Sequence, residues 1–129
     1  MAYDSEVLIK AAAEAQKKAY APYSCFNVGA ALLTSENKIY TGCNIENSSY
    51  SLSICAERVA LYQAVAAGER DFLAIAVVGG NLEKCFPCGA CRQVLAEFAP
   101  SMEIITGRPG EKIYKRNLSD LIPDIFRLK

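Results

Sequence analysis

Two short segments of the chain carry the side chains best suited to bind a metal ion. The first reads Cys-Ala-Glu-Arg from Cys55, and the second reads Cys-Gly-Ala-Cys from Cys88 to Cys91. Each is expected to open a helix, and a helix N-terminus lowers the pKa of a thiol because its partial positive charge favours the thiolate. Cysteines three apart on a helix share a face and can bind one ion. If both helix starts meet, three thiolates bind one zinc and leave a fourth position open, the pattern of catalytic zinc.

Glu57 lies two residues after the first of these cysteines, in the first turn of the expected helix. Side chains in a helix lean toward its N-terminus, so the Glu57 carboxylate can reach the space beside the metal without binding it. A carboxylate in that place can take a proton from water and deliver it to another atom. The sequence therefore predicts a hydrolytic metal centre with Glu57 as its general acid–base.

Arg58 and Arg92 each follow a predicted metal ligand directly or closely in the sequence. Three thiolates on Zn²⁺ leave the centre negatively charged, which weakens the metal as a Lewis acid. A guanidinium that hydrogen-bonds the sulfurs would restore this acidity. We assign that role to Arg58 as a hypothesis, because a residue such as Arg92 is more often a surface or interface charge.

The composition excludes several other chemistries. The 129 residues include six cysteines and no histidine, so neither a Ser–His nor a Cys–His nucleophile can form. Fourteen Lys and Arg balance fourteen Asp and Glu, whereas a nucleic-acid-binding protein needs excess positive charge to offset phosphates. We therefore expect no nucleic-acid partner and a small, nearly neutral substrate.

The chain also gives expectations about location and domain number. Its N-terminus lacks a cationic segment followed by an apolar run, and its longest apolar stretch, Phe72 to Val78, is too short to cross a membrane. We expect a cytoplasmic protein without membrane contact, in which the cysteines stay reduced. The length favours a single domain over residues 1–129.

Helical and strand patterns alternate along the chain and predict an α/β fold with a partly parallel sheet covered on both faces. The expected elements are a helix from Asp4 or Ser5 to about Tyr20, a hairpin over residues 28–34 and 38–44, a helix from Cys55 to Ala67 closed by Gly68, a strand over 72–78, a helix from Pro87 to Phe98, strands over 102–106 and 113–114, and a short helix capped by Asn117 or Ser119.

Several motifs resemble those of a known family. Cys-Ala-Glu at residues 55–57, followed about thirty residues later by Pro-Cys-x-x-Cys at 87–91, is similar to the signature of the zinc-dependent cytidine deaminases. Further stretches resemble the small, homotetrameric branch of that family, which acts on free nucleosides. These stretches lie at residues 23–31, 42–47, 49–50 and 121–123, and the resemblance runs from about Ala19 to Phe126.

The resemblance implies a three-layer αβα fold with a mixed five-stranded sheet, a homotetramer and one zinc ion per subunit. It also implies hydrolytic deamination of cytidine and 2′-deoxycytidine to uridine and 2′-deoxyuridine plus ammonia, in pyrimidine salvage. Cys55, Cys88 and Cys91 match the zinc ligands of the family, and Glu57 matches its proton carrier.

The same resemblance implies substrate contacts. Asn44 and Glu46 match positions that bind ribose hydroxyls, and Phe26 matches the aromatic residue that stacks on the pyrimidine. Ala56 matches a residue whose backbone contacts the base, and Phe126 matches an aromatic residue that reaches the site of a neighbouring subunit. Without the family, Phe26 would be assigned to the core and Glu46 to a solvated loop.

Cys85 keeps alternative interpretations open. With Cys88 and Cys91 it forms Cys-x-x-Cys-x-x-Cys, which faintly resembles an iron–sulfur run but lacks the fourth cysteine and following proline at the expected spacing. As a fourth zinc ligand, Cys85 would close the site, and the chain would be a structural-zinc interaction module. Among enzymes, the alternatives are a deaminase of a modified cytosine nucleoside or of a base within RNA, and the neutral charge argues against RNA.

Overall fold

The computed structural model describes residues 3–128 of the chain. In chain order its elements are α1 (Ser5–Gln16), β1 (Val28–Thr34), β2 (Ile39–Cys43), a 3₁₀ turn (Tyr50–Leu52), α2 (Ala56–Ala66), β3 (Phe72–Gly79), α3 (Gly89–Phe98), β4 (Glu103–Gly107), β5 (Ile113–Asn117) and α4 (Leu118–Leu121). Within the described range, no helix is both long and apolar enough to cross a bilayer.

The strands form one mixed sheet in the order β2-β1-β3-β4-β5. Strand β1 pairs antiparallel with both β2 and β3, and β4 pairs antiparallel with β5. Strands β3 and β4 are parallel, because α3 carries the chain back across the sheet between them. The predicted mixed five-stranded sheet is confirmed.

Helices cover both faces of this sheet. Helix α1 packs on one face through an apolar cluster that includes Leu8 and Ile9, whereas α2 and α3 pack on the other through Leu61 and Leu95. Strand side chains alternate between these two clusters, as the two-residue period of a strand requires. The predicted three-layer αβα arrangement is therefore confirmed, and the starts of α2 and α3 lie on the same side of the sheet.

Two glycines let helices lie directly against the strands. A Cβ atom on Gly29 of β1 would lie 2.0 Å from the carbonyl oxygen of Ala12 in α1. A Cβ atom on Gly42 of β2 would lie 2.6 Å from the carbonyl oxygen of Ala56, the first residue of α2. Both separations are too short for any side chain, so the first turn of α2 is held against the sheet backbone.

Helix α1 is shorter than the sequence suggested, because it ends at Gln16 rather than near Tyr20. The N–H of Tyr20 donates to the carbonyl of Asn44 at 3.0 Å, and the carbonyl of Tyr20 accepts from the N–H of Glu46 at 2.8 Å. These bonds form a short parallel bridge, which requires extended rather than helical backbone. The start of α1 agrees with expectation, since the Asp4 side chain caps it.

Helix α3 begins at Gly89, whereas the sequence placed Pro87 in its first turn. Cys88 has extended backbone angles, φ −67° and ψ 169°, and is the N-cap residue. Cys88 thus immediately precedes the helix and does not belong to its first turn, yet its sulfur still lies within 4.8 Å of that of Cys91, as the spacing of three residues suggested.

Candidate metal centre and adjoining cavity

Helices α2 and α3 both begin at a cysteine. Cys55 is the N-cap residue of α2 and Cys88 is that of α3, and neither side chain caps its own helix by a hydrogen bond. N-cap positions usually carry Ser, Thr, Asp or Asn, whose oxygen satisfies the first N–H groups. Cysteine in that place leaves its sulfur available to a metal. Cys91, in the first turn of α3, is fully buried.

The three sulfur atoms have the spacing of a zinc site. The Sγ atoms of Cys55, Cys88 and Cys91 lie within 4.8 Å of one another, and those of Cys55 and Cys88 are 3.8 Å apart. In a tetrahedral site with zinc–sulfur bonds of about 2.3 Å, neighbouring sulfurs are about 3.8 Å apart. The cluster thus fits one zinc ion and leaves a fourth corner for another ligand.

Arg58 lies against this cluster. Its Nη2 atom donates to the sulfur of Cys55 at 3.4 Å. A hydrogen bond from the Cys91 thiol, assisted by Arg58, lowers the pKa of Cys55 to about 5, and the same bond raises the pKa of Cys91. The Nε atom of Arg58 is buried and has no partner among the described residues, an arrangement that costs free energy unless negative charge lies nearby. A guanidinium in this place suits a site whose sulfurs become thiolates.

Glu57 is the buried carboxyl group beside the thiols. Its exposed fraction is only 5%, and it lines a cavity together with Cys55 and Cys88. Burial raises the pKa of Glu57 to about 7, and the negative charge of Cys55 acts in the same direction. A carboxyl group with a pKa near neutrality can both accept and donate a proton, as an acid–base catalyst requires.

A cavity of about 420 Å³ opens in front of the thiols. This volume lies within the range of small-molecule sites. Phe26, Asn44, Glu46 and Ala56 line it together with Glu57 and two of the three clustered cysteines. The lining contains two carboxyl groups and no Lys or Arg. The structure therefore gathers the predicted substrate contacts, apart from Phe126, around one space.

Asn44 and Glu46 also bind the backbone of the segment that precedes β1. The Asn44 amide accepts from the N–H of Val28 at 2.8 Å and donates to the carbonyl of Phe26 at 2.7 Å. Glu46 accepts from the backbone N–H groups of Tyr23 and Ser24. The Ser24 hydroxyl also donates to Glu46 and lowers the pKa of its carboxyl group, which favours the ionised form. Each side chain keeps further polar capacity for a ligand.

Sequence reasoning gave no role to Ser24, Ser53, Ile54 or Phe86, which also line the cavity. Ser24 joins two predicted contacts, because its hydroxyl donates to Glu46 and accepts from the N–H of Phe26 at 3.0 Å. Its place two residues before Phe26 was an available signal, since a serine hydroxyl commonly binds backbone at that spacing. No comparable signal in the sequence marks Phe86.

Cys85 and Phe126 lie apart from the thiol cluster. Cys85 packs over Gly79, where a Cβ atom would approach its sulfur to 2.4 Å, and burial raises the pKa of Cys85 to about 11. The clustered sulfurs do not include it, so the structure does not favour a fourth cysteine ligand or an iron–sulfur run. Phe126 is 67% exposed and does not line the cavity of its own chain.

Comparison with known proteins gives a consistent set of similarities. A family model described as the cytidine and deoxycytidylate deaminase zinc-binding region matches residues 2–107. Cytidine deaminase from Halalkalibacterium halodurans is 47% identical over 124 residues, which cover 95% of this chain and 94% of that protein. The Sporosarcina psychrophila cytidine deaminase is 49% identical over 125 residues, which cover 95% of this chain and 91% of that protein.

The fold and the sequence agree in a comparison with a solved structure. The crystal structure of cytidine deaminase from Burkholderia pseudomallei matches with a TM-score of 0.91 and 49% sequence identity. The match covers 96% of this chain and 100% of that chain. The likeness therefore extends over the sheet, its helices and the loops that form the cavity.

The thiol geometry predicts how metal content responds to cysteine substitution. Cys88→Ala should lose most of its zinc, because it removes one of the three clustered sulfurs. The matched variant Cys85→Ala should retain one zinc ion per chain, because that thiol lies outside the cluster. Elemental analysis of protein purified in the presence of zinc measures both. Loss of zinc from folded Cys85→Ala would reveal a fourth sulfur ligand and contradict this geometry.

Proposed function

The chain belongs to the cytidine and deoxycytidylate deaminase family, and we propose that it is an enzyme that deaminates free cytidine and 2′-deoxycytidine by hydrolysis. The products are uridine or 2′-deoxyuridine and ammonia. The observation that carries this proposal is a buried carboxyl group, Glu57, beside three clustered thiols in one cavity. A structural-zinc module needs neither a cavity at the metal nor a carboxyl group with a pKa near neutrality.

The thiols of Cys55, Cys88 and Cys91 would hold the zinc ion. When bound, zinc would supply Lewis acidity that makes water a competent nucleophile near neutral pH. Arg58 lies close enough to Cys55 to share its negative charge by hydrogen bonding. We assign Arg58 the role of preserving that acidity against the charge of three thiolates.

Glu57 would move the protons of the reaction. Water adds its oxygen to C4 of the pyrimidine, while Glu57 accepts a proton from that water and delivers it to N3. The remaining hydroxyl proton passes through Glu57 to the amino group, the C4–N bond breaks, and ammonia leaves as the C4 carbonyl forms. Glu57 finishes in its initial protonation state, as a group that carries protons between water and substrate must.

The remaining lining would recognise a neutral nucleoside. We propose that Phe26 stacks on the pyrimidine, that the backbone of Ala56 contacts the base, and that Asn44 and Glu46 bind ribose hydroxyls. All four residues line the cavity. Ionised Glu46 would repel a phosphate on the ribose, and the lining offers no cation to compensate. This supports a free nucleoside rather than a nucleotide or RNA.

We further propose a homotetramer in which Phe126 contributes to a neighbouring subunit's site. Gln93 of α3 donates to the Phe126 carbonyl at 3.1 Å, and Arg127 donates to the Ala96 carbonyl at 3.2 Å. These bonds fasten the C-terminal segment to α3, while the Phe126 ring stays exposed. Large exposed side chains such as Tyr50 and Leu52 support an interface near the cavity.

A cytoplasmic role in pyrimidine salvage completes the proposal. Two of the clustered sulfurs lie only 3.8 Å apart, so metal binding at this site needs a compartment that keeps thiols reduced. We also propose that residues 1–129 form one domain, which is supported by the single sheet that organises the described residues.

The proposed reaction is tested by following the absorbance change as cytidine becomes uridine. Zinc-loaded protein should turn over both cytidine and 2′-deoxycytidine. Glu57→Gln should keep its zinc but lose about 10²- to 10⁴-fold in kcat, because it can no longer carry a proton. Glu14→Gln, an exposed carboxylate on α1, is the matched control and should leave kcat unchanged. Absence of turnover by the zinc-loaded wild type would refute the proposed function.

Arg58→Ala should retain much of its zinc yet lose about 10- to 100-fold in kcat/KM, the usual effect of removing a group that supports metal ligands. Arg70→Ala is the matched control, because Arg70 binds backbone carbonyls at the far end of α2 and not the thiols. Steady-state kinetics and zinc analysis of the same samples measure both effects. Full activity of Arg58→Ala would remove the role assigned to Arg58.

The action of Phe126 between subunits predicts complementation. Phe126→Ala and Glu57→Gln proteins should each be impaired alone. Co-expressed chains should recover activity, because a mixed assembly places intact Glu57 of one chain beside Phe126 of another. Sedimentation should show an assembly of four chains. A monomer in sedimentation, or mixed chains with only the averaged activity of the two variants, would contradict the proposal.

A further inference from the structure

We infer that Gln16, at the end of α1, is a positioning residue that fixes the ring of Phe26 at the wall of the cavity. The inference rests on the proposed function, in which Phe26 stacks on the base. Gln16 does not line the cavity and instead borders a separate surface depression with Cys25 and Asn27. Any effect of Gln16 on a substrate must therefore pass through other residues.

The Phe26 ring rests on the turn that follows β3. A Cβ atom on Gly80 would lie 2.6 Å from Cε1 of Phe26, and one on Gly79 would lie 3.1 Å from its Cζ. Gly80 has φ +52°, in the left-handed region that favours glycine. Because neither position carries a side chain, the ring lies directly on the backbone and its place follows the place of the turn.

Gln16 fastens this turn to the segment that carries Phe26. Its Nε2 atom donates to the carbonyls of Asn27 and Gly80, each at 3.0 Å. The N–H of Gly80 donates to the same Asn27 carbonyl at 2.7 Å. Since only the NH₂ end of an amide can bind two carbonyl oxygens, these partners also set the orientation of the amide. The three bonds fix the separation between the Phe26 segment and the glycine turn.

The side chain of Gln16 projects from a rigid base. A Cβ atom on Gly29 would lie 2.4 Å from the backbone nitrogen of Gln16, so the last turn of α1 lies directly against β1. Leu8 and Ile9 of α1 are buried in the core on that face of the sheet. The helix therefore holds the Gln16 amide in place. The amide in turn sets the positions of the Asn27 and Gly80 carbonyls that it binds.

Two further bonds reach Phe26 from residues of the cavity wall. The Ser24 hydroxyl accepts from its N–H, and the Asn44 amide donates to its carbonyl. These bonds hold the Phe26 backbone but do not reach Gly80. Removing Gln16 should thus leave the glycine turn held only by the bond from the Gly80 N–H to the Asn27 carbonyl, which loosens the turn and the ring that rests on it while the Phe26 segment stays folded.

The test compares Gln16→Met with Gln63→Met. Methionine keeps the length of glutamine and removes both donors. Gln63 is the matched control, because its Nε2 atom makes the same type of bond, to the Thr41 carbonyl at 3.0 Å, outside the cavity lining. Gln16→Met should raise KM for cytidine about three- to tenfold, the factor expected for one or two lost hydrogen bonds, with kcat within about twofold. Gln63→Met should change neither constant.

Two additional variants show whether Gln16 acts through Phe26. In a Phe26→Ala background, Gln16→Met should have no further effect on KM, because the ring that it positions is absent. Gln16→Lys, which retains hydrogen-bond donors, should restore part of the loss. An unchanged KM in Gln16→Met, or the same rise in KM with and without the Phe26 ring, would overturn the inference.

Hydrogen exchange separates failure of this inference from failure of the proposed function. The amide of Gly80 should exchange faster in Gln16→Met than in the wild type or in Gln63→Met, whether or not the protein turns over cytidine. Unchanged exchange at Gly80 would overturn the positioning role by itself. If the wild type is inactive but shows the expected exchange pattern, the assigned reaction is wrong. The role of Gln16 in holding the glycine turn would still stand.

Discussion

Three sulfur atoms that become negatively charged on metal binding have to share one small volume, and the rest of the structure is arranged around this repulsion. The N-termini of α2 and α3 supply partial positive charge at Cys55 and Cys88, and Arg58 supplies a full one. Both helix starts lie on one face of the sheet, because the chain passes from α2 into β3 and then through α3 to the parallel strand β4. The fold thus places two positive helix ends beside the sulfurs.

Much of this arrangement was predictable because it depends on local signals. The alternation of apolar segments gave the five strands, and the Cys-Ala-Glu and Pro-Cys-x-x-Cys motifs gave the residues that meet at the metal centre. The errors have long-range causes. Helix α1 ends early because Tyr20 pairs with the backbone beside Asn44 and Glu46, and a pattern of local spacing contains no trace of that pairing.

The substrate wall was only partly predictable, because its residues perform two tasks at once. Asn44 and Glu46 were expected to face a ribose, yet Glu46 also accepts from two backbone N–H groups before Phe26, and Asn44 binds the Phe26 carbonyl and the N–H of Val28. The support of the Phe26 ring by Gly80 is a contact between side chain and backbone across distant parts of the chain, for which residue types alone give no signal. The groups proposed to bind the sugar and the group proposed to stack on the base are thereby joined by hydrogen bonds.

The direct contact between Gly42 and the first turn of α2 limits how the cavity can change shape. A redesign aimed at bulkier nucleosides cannot gain room by shifting α2, because no side chain separates that helix from its strand. Cys85 and Phe86 also line the cavity, but they belong to residues 80–88, which connect β3 to α3 without a helix or strand. Mutant libraries confined to residues 81–87, which exclude Cys88, can reshape the pocket and leave the three clustered thiols in place.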